Sequence, residues 1–120
     1  MTLSPDIGTR VRVCALSDLE VERGRAALFG SVQIALFVLA DGSVHAVSNL
    51  DPYSGAHVMS RGIVGTRGDV PTLASPMHKQ VFDLRTGECL DTQGKASATL
   101  RVWDVTVRDG QIELNIEEIR

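Results

Sequence analysis

Polar and apolar residues alternate with a period of two along much of this chain, and no stretch sustains the 3.6-residue repeat of an amphipathic helix. After a short polar leader, Arg10 to Ala15 predicts a first strand with Val11, Val13 and Ala15 on one face. Ser17-Asp18-Leu19-Glu20 predicts a turn with Ser17 as N-cap, ahead of a corner at Arg23-Gly24. Arg25 to Phe29 reads as a second strand, Gly30-Ser31 as a two-residue hairpin turn, and Val32 to Leu39 as the returning strand. That strand is apolar nearly throughout, which predicts burial on both faces. Asp41-Gly42 then turns the chain into Val44 to Ser48.

From Asn49 to Val70 the alternation dissolves into Gly, Pro, Ser and mixed charge, and the expectation is one long loop, a length usually tied to function. Pro71 to Ala74 predicts a short strand, followed by a second loop and then a hairpin of Val81 to Leu84 and Glu88 to Leu90 around Arg85-Thr86-Gly87. Thr92 to Ala98 is polar and small, a surface connection. Two closing strands turn at Asp109-Gly110: Trp103, Val105 and Val107, then Ile112, Leu114 and Ile116, face the core, with Glu113 and its neighbours on the water side. Many short strands with hairpin turns predict an all-β sandwich or small barrel. At 120 residues the expectation is one domain with one core over 1–120, residues 1–9 and 117–120 being peripheral.

Composition narrows the function. An apolar fraction of 43% argues against wholesale disorder. A net charge of −3 without a basic stripe, with one Trp and one Tyr, argues against nucleic acid. No run approaches the ~20 apolar residues of a membrane span, and Met1 to Asp6 lacks the basic and apolar regions of a secretory signal, so the expected location is cytoplasmic, away from the membrane. Cys14 and Cys89 are far apart and form no Cys-x-x-Cys pair, so both are expected to be reduced packing residues on strands unless the fold brings them face to face. No nucleophile–base arrangement or phosphate-cradling glycine loop stands out, so catalysis by this chain alone is not expected.

The two loops carry the specific signal. The first reads Asn49-Leu50-Asp51-Pro52-Tyr53-Ser54-Gly55-Ala56 and the second Ala74-Ser75-Pro76-Met77-His78-Lys79-Gln80. A Rieske 2Fe–2S centre takes two cysteine thiolates on one iron and two imidazoles on the other, in sequence Cys-x-His and Cys-x-x-His. Laid on that frame, Asp51, Tyr53, Ser75 and His78 hold the four ligand positions, and three of the four ligands are missing. Carboxylate, phenol and hydroxyl oxygens do not replace soft thiolates around sulfide-bridged iron.

With these loops, the segments Met59 to Gly65, Lys79-Gln80, Phe82-Asp83-Leu84-Arg85-Thr86-Gly87 and Cys89-Leu90-Asp91 make the chain resemble the small subunits of bacterial assimilatory NAD(P)H-dependent nitrite reductases, from about Val11 to Ile116. The resemblance implies a Rieske-like β fold with no cofactor of its own. It implies a large-subunit partner that carries FAD, sirohaem and an iron–sulfur cluster and reduces nitrite to ammonium. The candidate partner interface comprises Asp51, Tyr53, Arg61, His78, Lys79 and Gln80. The alternative is a Rieske-fold adaptor or electron-transfer module for another oxidoreductase.

Each residue also has a plainer role. Asp51 suits an Asx-turn before Pro52, Tyr53 suits packing against the second loop with a hydroxyl hydrogen bond, His78 suits an exposed loop position and His45 the outer face of its strand. A zinc site of His57, His78, Asp51 and Cys89 is conceivable in space, although no ligand spacing demands it. Arg61, Arg67, Lys79 and Arg85 put positive charge along the loops, opposite acidic Glu113, Glu117 and Glu118, which suits either a solvated surface or a footprint for an acidic partner patch.

Overall fold

The strand Val32–Val38 is the wall on which the molecule is built, and its neighbours alternate between two cores. A computed structural model describes residues 4–7 and 10–115. In chain order the strands are β1 (Ser4–Ile7), β2 (Arg10–Ala15), β3 (Arg25–Phe29), β4 (Val32–Val38), β5 (Val44–Ser48), β6 (Ile63–Arg67), β7 (Val70–Ala74), β8 (Val81–Asp83), β9 (Cys89–Asp91), β10 (Val102–Trp103), β11 (Val105–Arg108) and β12 (Gln111–Asn115). The described residues contain no α-helix, only short 3-10 turns at Leu16–Asp18 and Met59–Arg61. The all-β expectation holds.

The strands form three antiparallel sheets, ordered β1-β2-β12-β11, β10-β5-β4-β3 and β6-β7-β8-β9. Because side chains alternate across a strand, β4 feeds both faces of the middle sheet. Ile34, Leu36 and Val38 join Val11, Val13, Cys14, Ala46, Trp103, Ile112 and Leu114 between the first and middle sheets. Ala35, Phe37 and Leu39 join Val47, Met59, Leu73, Phe82, Leu84 and Leu100 on the side of the third sheet. The expected burial of both faces is borne out, but the chain builds two cores where one was expected. The shared wall is what lets a chain this short do so, since each core borrows half of β4.

Several local expectations change. The presumed loop Asn49 to Val70 contains β6 and the start of β7, paired from Ile63↔Ala74 to Arg67↔Val70. Its alternation is blurred because β6 is mostly exposed, with Ile63 at 71%, and because Gly65, Gly68 and Pro71 carry turn-like composition. Ser17 does not cap its turn; Ala15 N–H donates to Asp18 Oδ2 instead, at 3.1 Å. In β2 a bulge opposite Ile112 and Glu113 turns both Val13 and Cys14 inward. The strand carrying Trp103 breaks at Asp104: β10 pairs with β5, β11 pairs with β12, and Val107 ends exposed. Glu113 is buried rather than on the water side, 3.6 Å from Arg10 and 3.4 Å from Arg108. Ile116, Glu117, Glu118 and the rest of the expected tail lie outside the described residues, as does most of the expected leader.

Two glycines of the segments singled out above are fixed by close approach. A Cβ on Gly62 would sit 2.7 Å from Ala74 O, and one on Gly87, at φ 79, would sit 1.7 Å from Leu100 O. Gly87 also accepts the Leu100 N–H at 2.9 Å, tying the β8–β9 turn to the chain that enters β10.

Candidate functional site

The two loops leave the ends of β5 and β7 and are joined by one buried hydrogen bond. Ser75 Oγ donates to Asp51 Oδ2 at 2.6 Å, across 24 residues of sequence. Asp51 is fully buried, with 0% exposure. Its other hydrogen bonds are local: Oδ1 accepts from Tyr53 N–H at 2.9 Å, closing the expected Asx-turn, and Oδ2 accepts from Ser54 Oγ at 2.9 Å. Burial pushes the Asp51 carboxyl up, yet the hydrogen bonds from Ser75, Tyr53 and Ser54 outweigh it and hold its pKa below 3.8. Asp51 is thus an ionised bridgehead buried between the two loops.

Around this bridge each loop is held by its own backbone bonds. Asp51 N–H donates to Ala56 O at 2.8 Å and Gly55 N–H to Asp51 O at 2.8 Å; Ser75 N–H donates to Gln80 O at 2.9 Å and Lys79 N–H to Ser75 O at 3.1 Å. Lys79 takes φ 63, a left-handed turn position. Asn49, which the sequence reading passed over, fastens the base of the first loop. Its Nδ2 reaches Gln33 Oε1 at 3.0 Å and His57 O at 3.2 Å, while its Oδ1 accepts from Ser60 N–H at 2.7 Å.

Tyr53 packs its ring on Phe82 with centroids 6.1 Å apart. Its hydroxyl donates to Cys89 Sγ at 3.4 Å and accepts from Ala98 N–H at 3.0 Å. The bond to Cys89 leads the causes that raise the phenol's pKa. The expected packing and hydroxyl bond are present, with β8, β9 and the following connection as neighbours rather than the tip of the second loop. Cys14 and Cys89 are both free and strand-borne. Burial raises the Cys14 pKa.

The remaining candidates separate by exposure. His78 and Lys79 are exposed on the second loop, beside Pro76 and Met77, and Arg61 is exposed at the end of its 3-10 turn. Gln80 is only 1% exposed and is among the residues around a cleft of about 440 Å³ with Tyr53, His78, Gln93 and Lys95. Gln80 therefore belongs to the interior of the loop pair, not to its outer face. Of the four cations expected along the loops, Arg67 pairs with Asp91 at 3.3 Å and Arg85 with Asp83 at 3.0 Å. Arg61 and Lys79 form no ion pair among the described residues. His45 is not on an outer face: it is half-buried, 3.0 Å from Ser43 Oγ, and burial lowers its pKa below 6.5.

A 2Fe–2S cluster does not fit these residues. Asp51 and Ser75, two of the four ligand positions, are bonded directly to one another at 2.6 Å, Tyr53 Oη is turned to Cys89 and Ala98, and His78 alone offers an imidazole. The zinc grouping does not form: among the described residues no three His, Cys, Asp or Glu side chains gather as a metal site. Asp51 is committed to the loops, and Cys89 Sγ donates to Asp91 O at 3.4 Å.

This scaffold of three sheets, with two loops joined at the ends of β5 and β7, is that of a Rieske-like domain, and the family of Rieske-like 2Fe–2S domains matches residues 9–115. Within it the chain belongs to the nitrite reductase small subunits. It is 45% identical to an NADH-dependent nitrite reductase small subunit of Mycobacterium tuberculosis of known structure, with a TM-score of 0.80 over 91% of this chain and 96% of that one. It is 32% identical to the Escherichia coli K12 NADH nitrite reductase small subunit, over 85% of this chain and 93% of that protein. It is also 36% identical, over 89% of its length, to a stretch that makes up 11% of the Klebsiella oxytoca NAD(P)H nitrite reductase large subunit. No described helix is long and apolar enough to cross a membrane.

Proposed function

We propose that this chain is the cluster-free small subunit of a cytoplasmic NAD(P)H-dependent nitrite reductase and docks on the large subunit through its two loops. The observation that carries the reading is the Klebsiella oxytoca match, in which a domain like this one is part of a chain named as the large subunit. A domain found both as a separate small subunit and within the large polypeptide is one that works in contact with it. On this reading FAD, sirohaem and an iron–sulfur cluster belong to the large subunit, which reduces nitrite to ammonium, and the small chain belongs to the enzyme without carrying the chemistry.

What this chain contributes is a pre-organised surface. The Asp51–Ser75 bond and the Asx-turn fix the loops before any partner arrives, so little ordering is left for binding. Leu50 and Met77 expose apolar area on the two loops. Arg61 and Lys79 supply charge that no internal carboxylate neutralises among the described residues, and such charges steer and orient association with an acidic patch. A free electron carrier would need ligands that Asp51, Tyr53 and Ser75 do not provide.

The test is titration of the purified large subunit with Arg61→Glu and Lys79→Glu variants. Each variant is expected to weaken assembly about tenfold or more, in a salt-dependent way, with the thermal transition of the free chain unchanged. Unaltered assembly in both variants would remove this surface from the reading.

A further inference from the structure

β6 is an edge of the third sheet, and its outer side is open. The two-residue turn Gly68-Asp69 makes Arg67↔Val70 the hydrogen-bonded pair that closes the β6–β7 hairpin. Bonding then alternates, so Gly65↔Thr72 and Ile63↔Ala74 are bonded pairs while Thr66↔Pro71 and Val64↔Leu73 are not. Pro71 agrees with this: it has no N–H to give, and its carbonyl accepts from Leu84 N–H on the β8 side at 3.0 Å. The N–H and C=O groups of Val64 and Thr66 therefore point away from β7, and no hydrogen bond reaches them among the described residues. Edge strands usually guard such a row with proline, lysine, a bulge or shortness. β1 has Pro5 and a register shift, and β9 and β10 are only three and two residues long. From Ile63 to Thr66, β6 has no charge, no proline and no bulge, and Ile63 is 71% exposed.

We propose that β6 pairs with β6 of a second copy of this chain, antiparallel about a twofold axis at Gly65. In that register the strand is complementary to itself. Val64 of each copy lies opposite Thr66 of the other, so each such pair exchanges both N–H···O bonds and every outward group of Val64 and Thr66 is satisfied. Ile63 lies opposite Arg67, whose charge is already taken by Asp91 at 3.3 Å, and the arginine stem covers the exposed isoleucine. The charges agree as well. Arg61, which forms no ion pair among the described residues, comes alongside the Gly68-Asp69 turn of the other copy, placing a cation beside a carboxylate on both sides of the axis. Val64 and Thr66 also line a groove of about 460 Å³ with Leu39, Ala40, Pro71 and Asp69, and because opposed residues share a face, Val64 of the second copy adds apolar area on that side. The inference is independent of the docking reading except at Arg61, which lies at the corner where the first loop enters β6.

Sedimentation of the chain at concentrations up to about 1 mM, with amide exchange measured at both extremes, tests the pairing. The expected result is a reversible dimer with a Kd on the order of 100 µM, and slower exchange of the Val64 and Thr66 amides as it forms. Ile63→Lys changes an exposed position and sets a lysine against Arg67 of the other copy at both symmetric places, so Kd is expected to rise about tenfold with the Tm of the monomer unchanged. Thr66→Pro removes an outward N–H that the hairpin itself does not use, and is expected to weaken the dimer at least as much. A wild-type chain that stays monomeric at about 1 mM overturns the proposal, as does a dimer in which the Val64 and Thr66 amides exchange as fast as in the monomer. A dimer that Ile63→Lys leaves as strong as wild type overturns it too, whatever Thr66→Pro does to the fold.

Discussion

The two cores on either side of β4 are built from different material. Between the first and middle sheets the buried cluster is apolar, while Glu113, which alternates with Ile112 and Leu114 on β12, is held by two arginines. On the side of the third sheet the apolar cluster is joined by buried Asn49, Asp51, Thr72, Ser75, Gln80 and Asp83. The first core depends on shape and hydrophobic burial; the second is topped by a hydrogen-bonded polar layer that fixes two loops. In a Rieske centre four protein ligands from two loops converge on one cluster; here Asp51 and Ser75 make the join directly. A carboxylate–hydroxyl bond and an Asx-turn hold the loops together here.

Substitutions on the shared wall test whether the two sides unfold as one. Phe37→Ala, which empties a fully buried site in the second core, is expected to cost about 3–5 kcal/mol in denaturant unfolding monitored at Trp103. Because Trp103 lies in the first core, a Trp103 signal that stays native while the loops open would break the comparison by showing two independent units. Asp51→Ala comes next. It strands the Ser75 hydroxyl and the Tyr53 and Ser54 donors, at a cost of about 2–3 kcal/mol. Faster hydrogen exchange is expected first at the amides of Tyr53, Gly55 and Lys79, with that of Val11 unchanged.

Acid titration separates the two regions more finely. The depressed carboxyl of Asp51, and that of Asp83 lowered chiefly by its hydrogen bond from Arg85, add stability that is present above the ordinary value of 3.8 and is lost as pH falls through the still lower folded values. The half-buried His45 acts in a higher window. Its folded pKa lies below 6.5, so the unfolded chain takes up a proton first and stability declines as pH drops below about 6.5. His45→Gln is expected to flatten the curve in that window, and Asp51→Asn only the part below pH about 4, as read from urea midpoints across pH. The smallest effect is expected at Ile63→Thr on the exposed β6, within about 0.5 kcal/mol.

The apolar core announced itself in the sequence more clearly than the polar layer did. Val32 to Leu39 could be read as a two-faced wall because an almost unbroken apolar run leaves little choice, and the Phe82 to Gly87 segment could be recognised because Asp83, Arg85 and Gly87 are each fixed by specific bonds. The β6–β7 hairpin was hidden because an exposed strand has no apolar face to display. The inward turn of Cys14 depends on a bulge in β2 that only pairing with β12, about 100 residues away, reveals. Asp51 and Ser75 could be named as old ligand positions, yet their bond to each other is a tertiary fact, as is the burial of Gln80. Polar residues carry no periodic signature of burial, so only the fold reveals which of them are inside.

The most direct measurement is co-purification of the tagged chain from cells grown on nitrite, with the co-eluting proteins identified by mass and the visible spectrum of the chain recorded after separation from them. The expected result is that the nitrite reductase large subunit co-elutes and that the separated chain has no iron–sulfur absorbance. A separated chain that keeps iron–sulfur absorbance would contradict the replacement of the cluster by the Asp51–Ser75 bridge.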